Sequence, residues 1–109
     1  MKKWIYDWPQ IIRDLQADAY TEAGTREVRE AAGDWVTCAC GNLCDAIPRN
    51  PDGEPENISL ASMGVYFEHA IVDLCAARTV RERSHYAEYA RYYLYWINVI
   101  AAEILEGKR

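Results

Sequence analysis

Apolar residues recur at helical spacing along most of the chain, most clearly near its C-terminus. Between residues 84 and 106 they follow one another at intervals of three and four, as on one buried face of an α-helix. Ser84 is a suitable N-cap, and Gly107 stands where a C-terminal glycine would end the helix. The predicted helix would be roughly 35 Å long. Its buried stripe comprises Tyr86, Ala90, Tyr93, Ile97, Ile100 and Ile104.

Three upstream segments show the same kind of periodicity. Asp7 followed by Pro9 is typical of a helix start, and Thr25 and Asn57 are suitable caps for two further helices. Gly24 would break the pattern just before the second predicted helix, and Gly41 would end that helix. The predicted helices therefore cover residues 8–19, 26–39, 57–78 and 84–106.

The third predicted helix is apolar on two sides, since Val65 and Val72 lie nearly opposite its main face, which includes Phe67. Such a helix is usually central. The short segment 79–83 should make the last two helices an antiparallel hairpin, and prolines with Gly53 make residues 42–56 a loop. The prediction is an all-α fold: one domain spanning residues 1–109, a compact four-helix bundle with a C-terminal helical hairpin and one Pro/Gly-rich loop.

Composition and charge narrow the class of protein. The chain has 109 residues, half of them apolar, and a net charge of −5. The acidic excess lies in residues 1–60 and argues against direct binding to nucleic acid, whose phosphates would be repelled. No segment has the character of a secretion signal or a membrane span. We therefore expect a cytoplasmic protein with no membrane association and no cofactor.

The four cysteines are the first candidates for a metal-binding or reactive site. Cys38, Cys40 and Cys44 form a C-x-C-x3-C cluster, and Cys75 lies on the third helix. Four thiolates suit tetrahedral zinc, but this spacing lacks the paired C-x2-C of typical zinc sites. Cys75 also lies beside the apolar face of its helix, where a reduced cysteine is a small core residue. Reduced thiols are the prediction, and a small zinc-stabilised helical module is an alternative.

Two further groups of residues are candidate sites. His69 and His85 have no nucleophile at a spacing that would bring it within hydrogen-bond reach, so we expect a non-enzyme with no catalytic residues. Arg78, Arg81 and Arg83 cluster before the N-terminus of the last helix, where they could hold a nucleotide or phosphate. Glu82 interrupts this run, and arginines at a turn are usually solvated. Anion binding is therefore kept as an alternative.

The aromatic residues are unusual in kind and position. Eight tyrosines and four tryptophans accompany a single phenylalanine. On the last helix Tyr89 and Trp96 should lie at the edge of the buried stripe. Tyr92 and Tyr95, with Val99, point about 120–180° away from its centre at 100° per residue. These three residues form either a protein interface, where tyrosine is enriched, or a second buried face under the first two helices.

Part of the sequence resembles a known pattern. The run from Asp34 to Asn42 (DWVTCACGN), followed by Ile47-Pro48-Arg49 and an acidic Pro/Gly loop, is similar to a pattern in short uncharacterised proteins of bacteria and their phages. That resemblance covers roughly residues 30 to 70 and implies no activity. In size and composition, though not in motif, the chain is also similar to phage anti-CRISPR and other anti-defence proteins.

Together these features predict a non-catalytic inhibitor that binds a protein, such as a bacterial defence complex, and occludes a functional surface. Its acidic half would face a basic nucleic-acid channel, as charge complementarity favours. The aromatic side of the last helix would be a second contact or a homodimer interface. The predicted partner-binding residues are Tyr92, Tyr95, Val99, Asp52, Glu54 and Glu56.

The predicted role of the acidic loop residues in partner binding can be tested directly. Alanine at Asp52, Glu54 and Glu56 together should weaken partner binding and reduce its dependence on salt, because three negative charges leave the contact. Affinity would be measured across a salt series. Unchanged affinity would exclude a role for this acidic segment.

Overall fold

The computed structural model describes residues 7–35 and 59–107, and four helices account for most of them. These are α1 (Trp8–Gln16), α2 (Glu22–Trp35), α3 (Ser59–Ala76) and α4 (Val80–Leu105). No strand occurs within the two described ranges. The predicted all-α fold with four helices is therefore confirmed, while the predicted loop 42–56, the cap at Asn57 and the stop at Gly41 lie outside the described residues.

Helix α1 begins as predicted but ends earlier. The Asp7 side chain accepts a hydrogen bond from the Gln10 backbone N–H at 3.2 Å, and Pro9 lies in the first turn. The helix ends at Gln16 rather than at residue 19, because Asp18 takes a left-handed φ of 56°. Its N–H donates to the Leu15 carbonyl, and the Ala19 N–H donates to that of Asp14. This is a Schellman ending with aspartate in place of the usual glycine.

The predicted start of α2 at Thr25 is wrong. The cap is Thr21, whose Oγ1 accepts from the Gly24 N–H at 3.1 Å, so the helix starts at Glu22. Thr25 lies inside the first turn, where its hydroxyl donates to the Glu22 carbonyl. Gly24 is a helical residue, and a Cβ there would lie 3.1 Å from Cδ1 of Tyr20. The glycine therefore makes room for the Tyr20 ring instead of breaking the helix.

The predicted cap of α4 at Ser84 is also wrong. Thr79 Oγ1 accepts from the Glu82 N–H at 3.1 Å and donates to the Glu82 carboxylate, so α4 begins at Val80. The Thr79-x-x-Glu82 spacing is a helix-start signature. Only residues 77–79 separate α3 from α4, which fixes the antiparallel hairpin. At the other end Gly107 has a φ of 73°, as a C-terminal glycine should.

The helices alternate in direction around α3, which packs against all three others and most extensively against α4. Trp8 packs on Phe67, and Leu15 shares a small cavity with Leu74, so α1 runs parallel to α3. Trp35 at the end of α2 also packs on Phe67. Gly33 lies beside Glu68, and Arg29, six residues before Trp35, is close enough to the more C-terminal Cys75 to affect its thiol, so α2 runs antiparallel to α3. The central position predicted for this helix is confirmed, although Val65 on its far side is exposed.

The core is centred on three aromatic rings from three helices. Trp8, Trp35 and Phe67 meet edge-to-face, with centroid separations of 5.1–5.9 Å. Phe67 is fully buried, and Trp8 nearly so. Edge-to-face pairs are favoured because the positive edge of one ring faces the negative face of the next. The cluster therefore ties α1 and α2 to the α3–α4 hairpin.

The buried face of α4 is rotated from the predicted stripe. Ala90, Ile97 and Ile100 are buried as expected, but Ala87 and Leu94 are buried as well, while Tyr86 and Tyr93 lie at the edge of the core. The rotation moves Tyr89 and Trp96 outward, so the prediction that they border the buried stripe is wrong. None of the described helices combines the length and apolarity needed to cross a membrane.

The ring cluster can be tested by truncation. Phe67→Ala should lower the free energy of unfolding by about 3–5 kcal/mol, because it removes a fully buried ring and leaves a cavity. Val65→Ala on the same helix, at an exposed position, should change it by about 0.5 kcal/mol or less. Urea unfolding followed by circular dichroism measures both. A loss of less than about 1 kcal/mol for Phe67→Ala would contradict the role given to this cluster.

Candidate functional site

A row of aromatic rings runs along the outer side of α4. We call it the aromatic strip; it comprises His85, Tyr89, Tyr92, Tyr93, Tyr95 and Trp96 of α4 and Tyr66 of α3. Ring centroids of contacting members are 4.8–6.4 Å apart. From residue 85 to residue 96 the strip extends for roughly 16 Å along the helix.

The strip faces solvent. Tyr92 is 57% exposed, Tyr95 is 62% exposed and Tyr89 is 45% exposed, whereas Val99 is half-buried. The alternative in which the first two helices bury Tyr92 and Tyr95 is therefore wrong. Tyr66, on the neighbouring helix, is 49% exposed and packs on Tyr93 at 5.5 Å. Sequence periodicity on a single helix gave no signal for Tyr66, because its role depends on how α3 lies against α4.

Ring contacts within the strip restrict its side chains. Tyr89 stacks on Tyr93 with an interplanar angle of 15°. It also contacts the His85 ring edge-to-face, with an interplanar angle of 90°. Residues four apart on a helix lie one above the other, so the helix itself sets these contacts. The strip is thus an ordered, partly apolar surface with phenolic hydroxyl groups.

Two depressions lie beside the strip. The larger, about 640 Å³, is an open concavity along α4 bordered by Glu88, Arg91 and Tyr92, among others. The smaller, about 280 Å³, lies between α3 and α4. Tyr89 lines both, so a partner that covers the strip would also cover the mouths of the two depressions.

The anion site that was the alternative for Arg78, Arg81 and Arg83 does not assemble as a group of three arginines. Arg83 is directed towards α1, where its Nε donates to the Gln16 carbonyl at 3.2 Å. Arg78 and Arg81 are exposed. Gln16 also bonds Arg91 at 2.6 Å and Ser84 at 3.3 Å, so it holds the end of α1 against α4. This part of the hairpin therefore has a structural role.

The remaining predicted site residues divide between the described and the undescribed chain. Cys38, Cys40 and Cys44 lie outside the described residues, as do Asp52, Glu54 and Glu56. Cys75 is half-buried, and this burial raises the pKa of its thiol from 9.0 to about 11, against the opposing effect of Arg29. Residues 7–35 and 59–107 contain no grouping of three metal-ligating side chains.

No protein-family model matches the sequence, and no curated protein or solved structure shows a significant similarity to it.

The environment of Cys75 predicts low reactivity. The thiolate is the nucleophile, and a pKa near 11 leaves far less thiolate at pH 8 than a pKa of 9.0 does. Iodoacetamide should therefore alkylate Cys75 roughly tenfold or more slowly than an unperturbed thiol. Its rate should keep rising with pH beyond pH 9. Mass spectrometry of the cysteine peptides measures this, with the urea-unfolded chain as control; equal rates in the folded and unfolded chains would contradict it.

Proposed function

We propose that this protein acts by binding a protein partner through the aromatic strip, without catalysing a reaction. The observation that carries the proposal is the exposure of Tyr89, Tyr92 and Tyr95 on a helix whose opposite face is buried. Large aromatic residues dominate the energy of many interfaces, because they combine apolar area with a hydrogen-bonding group.

The contacts between the rings of the strip favour a role in binding over a surface that is exposed without a function. A tyrosine has few rotatable bonds, and the ring contacts of Tyr89, Tyr93 and Trp96 restrict them further. Less side-chain entropy is then lost on association, so more of the contact energy appears as affinity. A strip of about 16 Å suits the centre of an interface, surrounded by a polar rim.

The class of partner that we propose first is a bacterial defence complex, in which this protein would occlude a functional surface. Its support is the similarity in size and composition to phage anti-defence proteins, together with the net charge of −5. A negative protein is attracted to the basic channels through which such complexes hold nucleic acid. A homodimer formed through the strip is the second candidate, favoured by the presence of both Glu88 and Arg91 at its border.

The strip can be tested with a matched pair of variants. Tyr92→Ala/Tyr95→Ala should weaken partner binding about thirtyfold or more, if these residues are at the interface centre. Val65→Ala/Val80→Ala alters two other exposed apolar residues and should leave binding unchanged. The partner would be captured from bacterial host lysate with the tagged protein, and its affinity for each purified variant would then be measured.

Light scattering on the purified protein identifies the homodimer. The protein would self-associate through the strip if it is a dimer, if Tyr92→Ala/Tyr95→Ala dissociates that dimer, and if no partner is captured. This result would replace the inhibitor hypothesis. Equal affinity of both double variants for a captured partner would exclude the strip as its binding surface.

A further inference from the structure

The smaller depression between α3 and α4 has a distinct chemistry. Its walls are largely tyrosine, with Tyr66 on α3 facing Tyr86, Tyr89 and Tyr93 on α4. Ala70, which is almost fully buried, leaves room between these walls. We call this depression the tyrosine groove.

One acidic side chain lies among these rings. Asp73 lines the tyrosine groove, as does His69 one helical turn before it, and no lysine or arginine is among the described lining residues. The face of an aromatic ring carries partial negative charge and attracts cations. Several rings around one carboxylate therefore form an environment suited to a positively charged organic group.

We propose that the tyrosine groove binds an arginine or lysine side chain of the protein partner. This inference rests on the proposed function and adds the chemistry of the contact. Tyr66, Tyr89 and Tyr93 belong to both the strip and the groove, so a partner seated on the strip would bring its own side chains to the groove. The net charge of −5 favours a basic partner surface.

Exposure of the groove favours a side chain of the partner over a free cation. Tyr66 and Tyr89 are each about half exposed, so a small free cation would keep part of its hydration and bind only weakly there. A bound partner would cover the groove and exclude water. Cation–ring attraction strengthens when water is excluded, so the contact gains strength in the complex.

The test uses the 109-residue protein and two small probes of similar shape. N-acetyl-arginine amide carries the cation, and N-acetyl-citrulline amide is its neutral counterpart. In NMR titrations the arginine probe should shift resonances of Ala70 and Tyr89 and bind about threefold or more tightly than the citrulline probe. Equal binding of the two probes would overturn the proposal.

Variants locate the site. Asp73→Asn and Tyr66→Leu should each weaken binding of the arginine probe about threefold, whereas Tyr66→Phe, which keeps a ring, should retain it. Glu30→Gln removes an exposed acid of α2, away from the described lining of both depressions, and serves as the control. Loss of affinity in Glu30→Gln, with none in Asp73→Asn, would overturn the assignment. Binding of choline chloride alone, with none of the arginine probe, would instead indicate a free quaternary amine.

The same variants separate this inference from the proposed function. If Tyr92→Ala/Tyr95→Ala abolishes partner binding while Asp73→Asn, which alters the groove but not the strip, leaves it intact, the strip stands and the groove inference is wrong. If no variant affects partner binding while the arginine probe still depends on Asp73, the groove binds a cation and the proposed function is wrong. Weaker binding in both sets supports both proposals.

Discussion

The contact of Trp8, Trp35 and Phe67 is the interaction on which the rest of the bundle depends. Three helices contribute one ring each, and Phe67 at the centre is fully buried. Because both tryptophans pack on α3, α1 and α2 are drawn to the hairpin away from the outer side of α4. Burial of these rings thus stabilises the domain and also leaves a row of tyrosines facing solvent.

The α3–α4 hairpin holds these exposed tyrosines next to one another on one surface. A connection of three residues, capped at Thr79, keeps α3 and α4 side by side. Small residues such as Ala87 and Ala90 let the helices approach closely. The tyrosines at the edges of this contact are then supported by two packed helices and by contacts between their rings. Support of this kind suits a binding surface, because little ordering remains to be done when a partner arrives.

Helix ends were the least predictable part of the fold, and the errors have a common physical cause. Asp7 was identified correctly because Pro9 follows it in the first turn. Thr21 was missed because Gly24 resembles a helix break, although the glycine accommodates a ring inside the helix. The Schellman ending at Asp18 was missed because its left-handed residue is not a glycine. Local sequence marks several candidate caps, and tertiary packing selects among them.

By itself, the sequence determined that the chain is all-α, that its last two helices form a hairpin, and that Tyr92 and Tyr95 point away from the main buried stripe. Periodicity supports these conclusions because it fixes angles around one helix axis. The tertiary structure alone decided that nothing among the described helices covers that side. It also brought Tyr66 and Asp73 to the tyrosines of α4 and turned Arg83 towards α1. Such juxtapositions depend on how helices pack against one another, which periodicity within a single helix does not specify.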